Sequence, residues 1–185
     1  MPRQVYLFDP PERFVAGTVG APGERAFFLQ ARGEGRLVSI ALEKVQVSVL
    51  ADRLDQLLDE VRRRSGALAE AAAAPDVEDV EPLDTPLFEE FRVGTMALGW
   101  DGDDGRVVIE AHAVRPGEEE RTDPPAEDDE DAGDLLRVRI APAAARAFAR
   151  RAQRVVAAGR PPCPLCGQPL DPEGHVCPRQ NGHRR

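Results

Sequence analysis

Apolar side chains fall into short runs before residue 42 and again between 91 and 141, and each set gives way to a longer stretch with helical spacing. Residues 4–8, 25–31 and 38–41 read as strands, as do 106–113 and 138–141. From residue 43 the period changes. Val47, Leu50, Leu54, Leu57, Leu58 and Val61 share one face of a helix over 43–64, and Ala144, Phe148, Ala152, Val155 and Val156 share one over 142–158.

The order, strands and then one helix, occurs twice. Phe14-Val-Ala-Gly17-Thr18 matches Phe91-Arg-Val-Gly94-Thr95, and Val38-Ser-Ile40-Ala41 matches Val138-Arg-Ile140-Ala141. This predicts an α+β fold of two pseudo-symmetric units, each a β-meander plus a helix, with antiparallel sheets paired and both helices on one side. The expected layout is a first unit over 1–65, with residues 4–8 as a fourth strand, a linker over 66–86, a second unit over 87–159 and a tail over 160–185. Residues 67–74 read either as linker or as an extension of the first helix.

Charge sharpens this layout. The 185 residues sum to −9, and ten of the acids lie between Pro116 and Asp134 with one arginine. The remainder is neutral. Residues 116–134 sit between the second and third strands of the second unit, where the first unit has only a Gly33-Glu34-Gly35 turn. They read as an unstructured acidic insertion, because they have almost nothing apolar to bury. No apolar run reaches the 18–20 residues of a membrane span, and the N-terminus lacks signal-peptide order, so a cytoplasmic protein is expected.

All three cysteines lie in the tail. Cys163-Pro-Leu-Cys166-Gly167 is a Cys-x2-Cys-Gly knuckle, in which glycine allows backbone amides to face the thiolates. Cys177 adds a third sulfur, and Gln180 stands where a second knuckle would place its partner cysteine. The fourth ligand is then His175 or His183. His175 is preferred, because the site closes without the last residues of the chain. A Cys3His set predicts structural Zn2+ with no open position for water or substrate.

The tail from Cys163 to Gly182, joined to a duplicated strand-helix body and the early Tyr6-Leu-Phe-Asp-Pro10, resembles an uncharacterised actinobacterial family described as a repeat protein of unknown function. The resemblance covers most of the chain. It implies genes that accompany a histidine-phosphatase-like and a phosphoinositide-kinase-like protein, and it carries over no catalytic residue.

Other candidates are weaker. Glu110 and His112 share a strand face and offer an acid/base pair for a hydrolase or transferase. Asp101, Asp103 and Asp104 suggest a calcium loop, although Asp-Gly-Asp-Asp-Gly matches hairpin-turn chemistry better. Arg146, Arg150 and Arg154 recur along the second helix with Arg151 beside them, and Arg62, Arg63 and Arg64 close the first. They suggest an anion surface, over which the acidic insertion would lie as a tethered competitor. The leading expectation is a non-catalytic zinc-containing binding or scaffold protein for a phosphate-handling partner or a phosphorylated ligand. The alternative is a single-strand nucleic-acid binder of whirly-like duplicated architecture.

Overall fold

The computed structural model describes residues 3–64, 79–114, 133–170 and 174–179. Its first half contains β1 (Val5–Phe8), β2 (Arg13–Val19), β3 (Ala26–Gly33), β4 (Arg36–Leu42) and α1 (Lys44–Arg64). The second contains β5 (Glu89–Asp101), β6 (Arg106–Ala113), β7 (Leu135–Ile140) and α2 (Pro142–Ala157). Local chemistry sets the helix boundaries. The Glu43 N–H donates to Gln46 Oε1 at 2.8 Å ahead of α1, whose last turn is basic, and Pro142 occupies the first turn of α2.

The α+β class holds, with the seven strands joined in one mixed sheet in the order β1-β7-β6-β5-β4-β3-β2. Within each meander the pairings are antiparallel, and two parallel pairings, β4 with β5 and β1 with β7, join the units. Residues 4–8 were expected to extend the first meander. They pair instead with β7, from Val5 opposite Leu135 to Phe8 opposite Val138.

That placement forces curvature. Four residues link β1 to β2, a reach of about 18 Å, whereas six strand spacings in a flat sheet span about 29 Å. The sheet therefore curls until its edges approach. Arg36, at the start of β4, donates to the Leu7 carbonyl at 3.1 Å and stacks over the Phe8 ring at 5.2 Å.

The pairing of β3 with β4 runs like that of β6 with β7. Phe27, Leu29 and Ala31 face Leu42, Ile40 and Val38, as Val107, Ile109 and Ala111 face Ile140, Val138 and Leu136. Ile40 is thus equivalent to Val138, two residues away from the match seen in sequence. Gly17 and Gly94 are not equivalent either. Gly17 pairs with Phe28 near the end of the sheet that leads into α1, while Gly94 lies in a register shift at the far end of β5. Gly99, opposite Val108, takes the place of Gly17. Register follows the buried set, and a short local match does not feel it.

One core lies between the sheet and the two helices. It includes Leu29, Ile40, Val107 and Val138 from the strands, Val47 and Leu54 from α1, and Phe148 and Ala152 from α2. Phe14 stacks on Phe148 with centroids 4.6 Å apart. The buried face of α2 includes Phe148 and Ala152, with Val155 and Val156 packed against the core as expected; Ala145, Ala149 and Arg151 join it, and Ala144 is exposed.

Residues 66–78 of the expected linker, including the 67–74 helix extension, lie outside the described residues. From 79 to 86 the chain is a strap over the outer face of β2, β3 and β4. The buried Gln30 side chain accepts from the Asp84 N–H at 2.7 Å and donates to the Asp84 carbonyl at 3.0 Å, mimicking a strand partner. The acidic insertion is also outside the described residues, except at its end. There Asp134 accepts from the Gln4 N–H at 2.9 Å and its carbonyl accepts from Ala113, so this acid belongs to the sheet.

Candidate metal centre

Beyond α2 the chain turns at Ala158 to Arg160 into a small loop closed by backbone pairing. Pro162 bridges Pro169, Leu170 N–H donates to the Pro161 carbonyl, and Cys163 N–H donates to Gln168. Between these rungs Gly167, with φ +75°, turns the chain so that its N–H returns to the Cys163 carbonyl at 2.8 Å. The Leu165 N–H points at Cys163 Sγ, 3.4 Å away. The residue pattern Cys-x2-Cys-Gly thus builds the knuckle expected of it.

The chain then returns through Gly174, which has φ +87°, and delivers His175 and Cys177 to the same spot. The ligand atoms of Cys163, Cys166, His175 and Cys177 all lie within 4.8 Å of one another. Cys163 Sγ is 3.9 Å from Cys177 Sγ, and Cys166 Sγ is 3.1 Å from His175 Nε2. A disulfide needs about 2.05 Å between sulfurs, whereas two thiolates on one tetrahedral Zn2+ stand about 3.8 Å apart at Zn–S distances near 2.3 Å. The three cysteines are free thiols in an arrangement that fits a metal ion. Arg179 donates to the Leu165 carbonyl at 3.0 Å and ties the returning segment to the knuckle.

Backbone N–H groups of Cys166 and Leu165 hold the Cys163 thiol below its ordinary value, which favours the thiolate that a metal requires. At Cys166 the N–H of Gln168 acts in the same direction, but burial and the neighbouring sulfurs outweigh it and push that thiol up. One sulfur of the cluster is therefore poised to lose its proton first. Cys163 and Cys177 are buried, whereas Cys166 and His175 are half-buried. His183, the alternative ligand, lies outside the described residues.

The remaining candidates are placed differently from each other. His112 is 4% exposed, 3.6 Å from Glu110, and burial holds it below its ordinary value despite that carboxylate. Glu110 itself is engaged by Arg137 at 2.5 Å. Among the described residues this imidazole is enclosed. Asp101 and Asp104 close on Arg139, and Asp101 Oδ1 accepts from the N–H groups of Asp103 and Asp104, so the segment is a hairpin turn with its cation already supplied.

The arginines of α2 do not form one open face. Arg146 bridges to Asp55 and Asp59 of α1 at 2.7 and 2.9 Å. Arg151 is 6% exposed and donates to the carbonyls of Ala16, Asp79 and Glu81 and to Asp79 Oδ1. Arg150 and Arg154 are exposed, and Arg154 reaches the Asp79 carbonyl at 3.2 Å. Two of the four guanidiniums thus hold the fold together. Sequence reasoning passed over Arg25, which donates to the Ala158 carbonyl at the end of α2 at 2.6 Å.

A family described as "Protein of unknown function (DUF3090)" matches residues 6–177. No curated protein and no solved structure matches the chain.

Proposed function

The chain belongs to this family of unknown function, and from that premise we propose that it is a non-catalytic binding protein whose C-terminal knuckle is folded by structural Zn2+. The observation that supports this reading is the convergence of three sulfurs and one imidazole nitrogen within 4.8 Å. A set of three thiolates and one imidazole suits zinc among the common divalent ions, and four protein ligands leave no position for a substrate. Bound zinc would crosslink the Cys163–Cys166 knuckle to the returning His175–Cys177 segment and neutralise their thiolates. The protein supplies the rest: N–H groups that favour the Cys163 thiolate, and an arginine that anchors the return.

A tail of about 25 residues has too little apolar surface to order itself, and a metal is the usual remedy. Free thiols fit a reducing compartment, which supports a cytoplasmic setting, and no helix among the described residues is long and apolar enough to cross a membrane. On this reading the partners are proteins that handle phosphate groups, kinase-like or phosphatase-like. The nucleic-acid alternative loses support because Arg146 and Arg151 are engaged inside the molecule. The hydrolase alternative loses support because His112 is enclosed.

Metal analysis of the full chain tests the reading, with Cys163→Ser, Cys166→Ser, Cys177→Ser, His175→Ala and His183→Ala alongside. One zinc per chain, lost in the first four variants and kept in His183→Ala, is expected. Protein purified from zinc-replete cells without metal would overturn it.

A further inference from the structure

Beyond Arg92 the strand β5 loses its neighbour on one side. β4 pairs with it only at Ser39 opposite Glu89 and at Ala41 opposite Arg92, and then ends at Leu42, where the chain turns into α1. β5 runs on to Asp101 beside β6. In an antiparallel pair, alternate residues turn their N–H and C=O groups away from the partner strand. From Thr95 to Trp100 those outward groups have no strand partner among the described residues.

Edges of this kind are usually blunted by charge, proline or a bulge. Thr95-Met-Ala-Leu-Gly-Trp100 carries neither charge nor proline, and the register shift of β5 falls ahead of it. What flanks the edge is α1. Gln46 donates to the Val93 and Gly94 carbonyls at 3.3 and 3.1 Å, as a strand partner would, and closes the near end. Past Gln46 the helix and the strand stand apart around a cavity of about 340 Å³. Val45 and Val49, one helical turn apart, line it from α1 and are 65% and 49% exposed, while Met96 and Leu98 line it from β5. Arg53 brings the one charge in this lining. No ion pair or hydrogen bond among the described residues engages it.

Three features define the occupant. Unpaired strand groups call for an extended backbone, apolar walls on both sides call for apolar side chains at every second position, and the lone arginine calls for an acid. That acid belongs to a side chain and not to a chain terminus, because the free edge continues past the cavity through Gly99 and Trp100 and lets the bound chain run on. A second copy of this protein does not fit. It would bring its own α1 along the same seam, and two helices about 10 Å across cannot share a gap set by strands about 4.8 Å apart. We propose that the groove between α1 and the free edge of β5 binds an extended internal segment of a partner protein by strand addition, with alternate apolar side chains over Val45 and Val49 and an acidic side chain at Arg53. The site lies apart from the knuckle and goes beyond the zinc reading.

Selection of short random peptides, displayed between uncharged linkers, on the full chain tests the proposal. Enriched sequences should alternate apolar and polar residues around one Asp or Glu. A terminally blocked synthetic copy should bind saturably and about tenfold more weakly to Arg53→Glu, and exchanging its acid for lysine should restore binding to that variant. Val49→Glu should abolish binding with the unfolding transition unchanged, since the side chain is half-exposed. N-methylation along the peptide should abolish binding at every second residue and spare those between, because one set of N–H groups faces β5. A selection without enrichment overturns the proposal. So do peptides that bind both variants as tightly as the parent, or an N-methyl scan without alternation. A parent chain that is dimeric in solution and monomeric in Val49→Glu assigns the groove to a second copy and overturns it too.

Discussion

Leu83 of the strap lies directly over Gly17 of β2, so near that a Cβ on Gly17 would fall 2.6 Å from Leu83 Cδ2 and Cγ. The strap is therefore seated on the sheet through a position that tolerates no side chain. Gly17→Ala must push Leu83 away, at a cost of about 1–3 kcal/mol for overpacking. Urea unfolding measures the loss. Leu83→Ala in the same chain should recover most of it, and a double-mutant cycle with no coupling between the two sites would show that the strap does not sit there in solution.

The strap's second anchor is Arg151, which bonds three carbonyls and Asp79 Oδ1 from a buried position. Arg151→Ala takes this donor from the Ala16 carbonyl and one of two guanidiniums from Asp79, which keeps Arg13, a loss of about 1–3 kcal/mol for buried acceptors left unsatisfied. Arg146→Ala removes the bridge to Asp55 and Asp59 at a more open site and should cost about 1 kcal/mol or less. Equal losses in the two variants would contradict the distinction between a buried clamp and a helix-surface bridge.

These clamps also show where the fold is legible in sequence and where it is not. The range of α1 is readable because Val47, Leu50, Leu54, Leu58 and Val61 repeat with the helical period and are all buried. The cysteine-histidine cluster is readable because a Cys-x2-Cys-Gly knuckle imposes its own geometry. Arg151 is not readable. At its spacing an arginine resembles a solvated helix face, and its partners at 16, 79 and 81 are distant in sequence. Residues 79–86 look like a linker for the same reason, since proline and acid content report local preference and not the carbonyls that Arg13 and Arg151 seek. The order of strands and helices was legible, but the strand register was not. That Ile40 pairs with Leu29 as Val138 pairs with Ile109 depends on which side chains reach the core together.

Asp79 adds a pH dependence to the strap. The hydrogen bond from Arg13 holds its carboxyl below the usual carboxylate range, with Arg151 adding to the effect and burial opposing it. A depressed folded-state value means that the unfolded chain binds the proton more readily. The stabilisation is present above the unfolded value near 3.8 and is lost as pH falls through the lower folded value. Unfolding free energy measured between pH 5 and pH 2.5 should fall less steeply in Asp79→Asn than in the parent chain. The variant will also be less stable at pH 7, and parallel curves would remove Asp79 from the acid response.

His112 works in the same direction at higher pH. Burial holds it below its ordinary 6.5, opposed by Glu110 and reinforced by Arg3 and Arg137, so the folded protein keeps the ring neutral. The unfolded chain takes up a proton near 6.5 and the folded chain does not. Stability is therefore full above that value and declines as pH drops toward 5. A metal held by the knuckle would be released in the same range, so the comparison is between parent and His112→Asn at equal zinc content. The variant should lose the part of the decline between pH 7 and 5 that belongs to His112. An unchanged slope would mean that the ring is protonated in the folded state.

Metal removal should separate the tail from the body. The core cluster draws on the strands and the two helices and includes none of Cys163, Cys166, His175 or Cys177. Among the described residues the parts meet where Arg25 donates to the Ala158 carbonyl, just before the turn into the knuckle, and where Arg160 lies along Gly23. Without a metal the knuckle keeps a few backbone hydrogen bonds and almost no apolar burial, too little to offset the entropy of ordering it. A strong chelator should therefore open residues 160–185 to protease within minutes, while the body up to α2 survives as a resistant fragment with its unfolding transition nearly unchanged. Chelation that unfolds the whole chain cooperatively would mean that the knuckle supports the sheet, and the metal would then be part of the stability of the core.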